Sequence, residues 1–175
     1  LEVDSSSFTD NECTSGTGGA IMALLVDEPT EMNIRGSLFE GNIAAVDGGA
    51  LYVMDFGATV DGSAFYDNQA ANGGAIYMED WLGIEGAQGV QNSLFQGNQA
   101  SGTAGALLLI TVNHGLVVGT SFVANSAPWA SAMSSYCNGS LIIGNSAFTY
   151  NSGSEALAAW EEVDCTMMEL SYTGF

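Results

Sequence analysis

A small apolar residue, a short polar stretch, a Ser or Thr, one further residue and then an aromatic recur along the chain in fixed order. The copies read VDSSSF from Val3, IRGSLF from Ile34, VDGSAF from Val60, VQNSLF from Val90, VVGTSF from Val117, IGNSAF from Ile143 and, more loosely, LSYTGF from Leu170. They end on Phe8, Phe39, Phe65, Phe95, Phe122, Phe148 and Phe175. A period of roughly 26–31 residues marks a solenoid, in which each coil buries its apolar surface against its neighbours. An asparagine follows three residues after six of the phenylalanines, at Asn11, Asn42, Asn68, Asn98, Asn125 and Asn151.

A second mark lies eight to ten residues beyond the first phenylalanines. It reads Gly18-Gly19-Ala20-Ile21, Gly48-Gly49-Ala50-Leu51 and Gly73-Gly74-Ala75-Ile76, then Ala104-Gly105-Ala106-Leu107 and Ala130-Ser131-Ala132-Met133. Within each period three short stretches of alternating character are separated by Gly, Asn and Asp, the pattern of strands a few residues long. In the second period they run over 32–39, 43–46 and 50–54. No window shows a sustained helical period. The prediction is an all-β parallel β-helix of six to seven coils, with roughly 26–31 residues per coil. It forms a single domain over 1–175.

At about 4.8 Å per coil such a stack makes a rod roughly 30 Å long. Equivalent residues lie above one another, so the phenylalanines form an internal column and the asparagines a corner ladder. Asn suits a left-handed corner and can bond to its copies above and below. The Ser or Thr two positions before each Phe shares its face, and is expected to be buried with a backbone partner or at the edge of the core.

The paired FxxN and GGA[IL] signatures resemble the repeats of the chlamydial polymorphic outer-membrane proteins and of many other bacterial surface proteins. The resemblance covers essentially the whole chain. It implies a right-handed parallel β-helix, an extracellular or cell-surface setting and an autotransporter-passenger role, and it carries no catalytic residues. Right-handedness also agrees with the general preference of parallel crossovers.

Charge changes the picture of partners. Twenty acidic residues face the single cation Arg35, for a formal charge of -19. Nucleic acid and acidic polysaccharide require Lys and Arg and are poor partners. No unbroken apolar run is long enough for a membrane span. Fifteen of the acids fall between Glu2 and Glu85, whereas the whole stretch from Gly86 to Ser154 holds no Asp, Glu, Lys or Arg. That stretch reads either as a packing surface or as a coat of Ser, Asn and Gln solvated without charge.

The candidate chemistry is sparse. Asp27, Glu28, Glu31, Asp55, Glu79, Asp80 and Glu85 follow the GGA strands, where stacked loops could offer Ca²⁺ oxygen ligands. Their loops differ in length, and the nonapeptide of calcium-loaded β-rolls is missing, so a solvated acidic edge is the plainer reading. No other cofactor is indicated. Parallel β-helices include pectin-cleaving enzymes, but a chain with one Arg, no Lys and one His lacks the cations that neutralise a uronate. A carboxylate pair such as Asp61 and Asp67 is a weak hydrolytic signal among so many acids, and the chain is read as a non-enzyme. Arg35 occupies a slot otherwise held by Asp4, Asp61 or Gln91, so it should point to solvent beside an acid. His114 reads as a turn residue. Trp81, Trp129 and Trp160 could make platforms for neutral sugars, but their different repeat phases favour separate local packing.

Cys137 and Cys165 stand at nearly the same distance before Phe148 and Phe175, so adjacent coils would allow a disulfide and an oxidising compartment. Cys13 is left as a buried thiol or an intermolecular link. Because the chain opens inside one copy and stops at the Phe of another, both ends lack obvious caps. Open strand edges invite stacking, so a head-to-tail filament of a structural subunit is expected. An adhesin or passenger fragment that binds a cell-surface protein or glycan is the alternative, and a carbohydrate-active enzyme the third.

Overall fold

Within each repeat, single residues with left-handed backbone cut the chain into short strands, and the corners recur in the same places. The computed structural model describes residues 1–24, 31–55, 57–80, 88–161 and 166–171. Left-handed φ falls at Ser5, Gly36, Gly62, Asn92, Gly119 and Asn145, just before the Ser/Thr position. It falls again at Asp10, Gly41, Asp67, Gly97, Ala124 and Tyr150, just before the Asn position. The third set is Gly18, Gly48, Gly73, Ala104 and Ala130, which open the GGA mark. One residue in this conformation turns the chain without a longer loop.

Each of the first four coils therefore carries four strands rather than three. In the second coil they are Glu31–Arg35, Leu38–Glu40, Ile43–Ala44 and Leu51–Met54. The expected single stretch 32–39 is broken at Gly36, where Ser37 donates its hydroxyl to the carbonyl of Arg35 at 2.8 Å. A second correction concerns the asparagines. They do not themselves adopt the left-handed corner; the residue before each one does.

All described strand pairings are parallel, and each strand pairs with its copy one coil away. The strands preceding the phenylalanines and those following GGA belong to one 11-stranded sheet, the Phe strands form a six-stranded sheet, and the short strands after Asn form a four-stranded one. Six Phe strands enclose five turns, so the solenoid has about five coils rather than six to seven. Counting phenylalanines counts rungs, whereas n rungs bound n − 1 turns. The seventh, Phe175, lies outside the described residues.

The core is a set of stacked columns. Ring centroids of Phe8, Phe39, Phe65, Phe95, Phe122 and Phe148 follow one another at 4.7 to 5.0 Å with interplanar angles of 2 to 10°. The spacing is that of hydrogen-bonded strands, so the rings inherit their stacking from the backbone. Phe39, Phe65, Phe95 and Phe122 are fully buried. Columns of Met32 with Ala58, of Ile34, Val60, Val90, Val117 and Ile143, and of Leu51, Ile76, Leu107 and Met133 complete the interior.

The second glycine of the GGA mark is set by close packing. A Cβ at Gly49 would strike the Gly74 carbonyl oxygen of the next coil, and one at Gly74 would strike that of Gly105. Where Ser131 takes this place, its hydroxyl donates to the Glu155 carbonyl at 2.9 Å.

The coils change character along the rod. The strand after the fourth GGA mark runs on without interruption into the next pre-Phe strand as Leu107–Val118, and its copy does the same as Met133–Gly144. These long strands pair at ten positions and join two faces of the solenoid into one surface. Bulges beside Thr111 and Asn113 absorb the bend. Both strands lie in the charge-free stretch.

Candidate functional site

Most of the chain's polar ladders are saturated by the fold, other polar residues face outward, and the side-chain polar atoms of Gln88, Thr111, Ser134 and Ser135 are buried without a hydrogen-bond partner among the described residues. The Asn ladder is fully saturated. The Nδ2 of each Asn donates to the Oδ1 of the next, from Asn11 through Asn42, Asn68, Asn98 and Asn125 to Asn151, at 2.8 to 3.0 Å. Its second proton goes back to a Phe carbonyl one coil earlier, as from Asn42 to Phe8 and from Asn98 to Phe65. Each Oδ1 also accepts the preceding Asn's backbone N–H. An inner carboxamide thus uses both donors and both acceptor positions, leaving no capacity for a ligand.

The Ser/Thr ladder is equally committed. Ser6, Ser37, Ser63, Ser93, Thr120 and Ser146 each donate to the carbonyl two residues back. Backbone N–H groups of Ser6, Ser37 and Ser63 bond in turn to the hydroxyl one coil on, each at 3.1 Å. Ser37, Ser63, Ser93 and Thr120 are buried with backbone partners, as the shared face with Phe implied.

The acidic candidates do not form a visible metal cage. Asp27, Glu28 and Glu85 lie outside the described residues. Glu31 is exposed at the start of its strand, Asp55 has left-handed backbone with its N–H bonded to the Glu79 carbonyl, and Asp80 is buried. Among the described residues no three of His, Cys, Asp and Glu come together in a metal-binding group. Glu79 instead acts on two tyrosines. Tyr52 and Tyr77 stack at 5.2 Å, and burial, followed by the charges of Glu79 and Asp47, raises both phenols above their usual value, Tyr77 well above it.

Asp61 and Asp67 stand at opposite corners of the strand Ala64–Tyr66; Asp61 accepts from Asn92 Nδ2 at 2.8 Å, and the Asp67 carboxylate lies against Gly97. Arg35 is exposed and pairs in register with Asp4 on one side and Asp61 on the other. His114 is not in a turn but within the long strand, exposed, with Nδ1 3.1 Å from the Ser140 hydroxyl. Cys13 is a partly buried free thiol. The expected Cys137–Cys165 bridge falls outside what is described, as do Trp81 and the side chain of Trp160. Trp129 is 39% exposed.

What the sequence reading missed lies on the outer face of the short-strand sheet. Gln69 pairs with Gln99, Gln99 with Ser126 and Ser126 with Ser152, making an outward polar row. The two glutamines border a shallow depression of about 190 Å³ lined also by Ala70, Ala100, Ser101 and Ser126. The signal was present as the duplicated Asn-Gln-Ala at 68–70 and 98–100. A smaller row on the same sheet joins Asp47 to Asn72, whose Nδ2 donates to the carboxylate at 2.9 Å.

Residues 36–54 and 62–79, which span the Phe and GGA strands of two successive coils, match the Chlamydia polymorphic membrane protein repeat. These two segments are similar to that repeat. No curated protein and no solved structure matches the chain. A chlamydial polymorphic membrane protein repeat implies association with the outer membrane or cell surface, and the parallel solenoid fits a surface or passenger segment. Among the described residues no helix is long and apolar enough to cross a membrane.

Proposed function

We propose that the chain is a stiff, non-catalytic rod of a surface protein, which holds a binding flank at a fixed distance from the cell. The observation that carries this reading is the commitment of the Phe column and the Asn ladder to themselves. Aromatic rings repeat at 4.7 to 5.0 Å from Phe8 to Phe148, and inner asparagines have all hydrogen-bonding positions filled. Such a stack gains rigidity from each coil and offers chemistry only on its outside. The acidic surface further favours partners that need no counter-cation.

Two measurements test the rod. Protease accessibility of an epitope-tagged chain on intact cells should place it outside, and protection from protease would overturn the surface role. Small-angle scattering should show an elongated particle that lengthens by about 4.8 Å for each duplicated coil. A compact particle whose length ignores coil number would refute the spacer. The same scattering across a concentration series separates the adhesin rod from a self-stacking filament subunit: an unchanged length supports the former, and growth in whole-rod steps the latter. Incubation with neutral and acidic polysaccharides is expected to release no fragments, and any release would make the chain an enzyme.

A further inference from the structure

The row formed by Gln69, Gln99 and Ser126 differs from the Asn and Ser/Thr ladders. Where Asn and Ser ladders spend their groups on each other, the Gln69 and Gln99 carboxamides and the Ser101 hydroxyl make no hydrogen bond within the described molecule. Both glutamines are exposed, one coil apart and in register, and line a depression together with Ala70 and Ala100. Each carboxamide presents two donors and an acceptor. Together they offer unspent, uncharged hydrogen bonding around a concave surface.

We propose that this depression is a subsite for a neutral glycan chain. The inference rests on the surface-rod reading and names the ligand class for its flank. At about 190 Å³ the depression is smaller than the ~300 Å³ at which enclosed small-molecule pockets begin, which suits one unit of a longer chain. Its lining bears no charge, and its lower part borders coils that carry none, so nothing here would hold a sulfated or uronic glycan. A peptide adding as a strand needs an open sheet edge, but Gln69 is paired with Ile43 and Gln99 on its two sides. Trp129, paired with Thr103 and three residues beyond Ser126, is within about 11 Å along the chain and has an exposed surface on which a further sugar ring can stack.

The probes are maltohexaose, cellohexaose, mannohexaose and N-acetylchitohexaose, with polygalacturonate as the anionic control, titrated into ¹⁵N-labelled chain to about 10 mM, ten times a millimolar Kd. At least one neutral probe should shift the Gln69 and Gln99 side-chain amide signals, and polygalacturonate should not. Gln69→Ala with Gln99→Ala should weaken binding by about tenfold or more while circular dichroism and scattering stay unchanged, because both side chains are exposed. Trp129→Ala should weaken the same probe. Absence of shifts with all four neutral probes overturns the proposal, as does binding that survives the double substitution. Concentration-dependent shifts without sugar that the double substitution abolishes would reassign the face to a second copy. A rod that keeps its scattering length while failing these titrations loses the glycan subsite but not the spacer role.

Discussion

Replacing Asn98 by Ala should cost about 4 kcal/mol, and the figure follows from counting the groups it would strand. Asn98 Oδ1 accepts from Asn68 N at 3.0 Å and Asn68 Nδ2 at 2.9 Å, while Asn98 Nδ2 donates to Asn125 Oδ1 and the Phe65 carbonyl, each at 3.0 Å. Truncation leaves the Asn68 N–H and one Asn68 amide proton without acceptors, and Asn68 is fully buried. Each orphaned buried donor costs about 1–3 kcal/mol, so the two give about 2–6 kcal/mol. Asn125 Oδ1 keeps the backbone N–H of residue 98, so its loss is smaller.

The comparison is Asn11→Ala at the exposed first rung, where a single side-chain bond to Asn42 disappears and the expected cost is below about 1 kcal/mol. Urea unfolding followed by far-ultraviolet circular dichroism measures both. Equal losses in the two variants, or less than about 1 kcal/mol for Asn98→Ala, would refute the claim that saturation of buried amides holds the corner. Asn98→Asp sharpens the test. A carboxylate there accepts but cannot donate, and it faces the Asn125 Oδ1 and Phe65 carbonyl oxygens. Burial and these oxygens raise its folded pKa above the ~3.9 of an unfolded chain. Since the folded state then holds the proton more tightly, the variant should lose stability as pH rises above that unfolded value and regain it on acidification.

Other substitutions separate steric, ionic and titration effects. Gly74→Ala pushes a methyl onto the backbone oxygens of Gly105 and Gln99 and should cost about 3 kcal/mol, the upper end of overpacking, whereas Gly62→Ala meets open space and pays only the ~1–2 kcal/mol of left-handed backbone. Equal midpoints in urea for the two would contradict the close-packing account. The phenols of Tyr52 and Tyr77 should ionise above the ~10 of a tyrosine in an unfolded chain in an ultraviolet titration. Because their folded pKa values are raised, the stability they contribute is complete below the unfolded value of about 10 and declines as pH climbs through and beyond it. Ionisation of both at the unfolded value would show that the pair is not held as described. Arg35→Ala should change stability by no more than about 1 kcal/mol, since the side chain is exposed, and Arg35→Asp should cost more and recover in salt because it sets three acids in one row. Salt independence of Arg35→Asp would contradict the row.

The columns were legible because a parallel solenoid stacks like on like: a Phe or Asn recurring at one offset has nowhere to go but above its copy. Ser37 and its copies were legible for the same reason. The break at Gly36 was not, since a single left-handed residue leaves the inward and outward alternation of 32–39 undisturbed on either side. The assignment of the left-handed corner to Asn failed because Asn suits both a turn and a ladder, and the preceding Asp10, Gly41, Asp67, Gly97, Ala124 and Tyr150 take the turn instead. Merging of the strands was hidden as well. The stretch from Gly105 to Phe122, where they merge, is almost as short as that from Gly49 to Phe65, where Leu51–Met54 and Gly57–Asp61 stay separate. Length alone does not distinguish the two cases. The glutamine depression escaped because it depends on which polar groups the fold leaves unspent, a property of the completed hydrogen-bond network.

The distribution of charge follows from the same stacking that makes the rod. In a parallel solenoid every outward residue has a copy one coil above and below, so like charges at one offset would lie side by side and repel. The described strand pairs set no acid beside another acid: Glu2 pairs with Asn33, Glu40 with Thr9 and Tyr66, Glu12 with Ile43, Asp61 with Gln91, and Glu79 with Met54 and Ile110. Where two acids fall in one row two coils apart, Asp4 and Asp61, the chain's single Arg stands between them. Apart from Asp4 and Asp61, the acids in the described strand pairs are therefore carried by interleaving with neutral partners rather than by pairing with cations. That arrangement works for strands of two to five residues, which present few outward positions. Leu107–Val118 and Met133–Gly144 pair at ten positions with each other, and a charge on either would need a neutral or opposite partner on both sides. Their neutrality is the solution that satisfies every row at once, and it leaves the lower coils with a surface whose recognition must be uncharged.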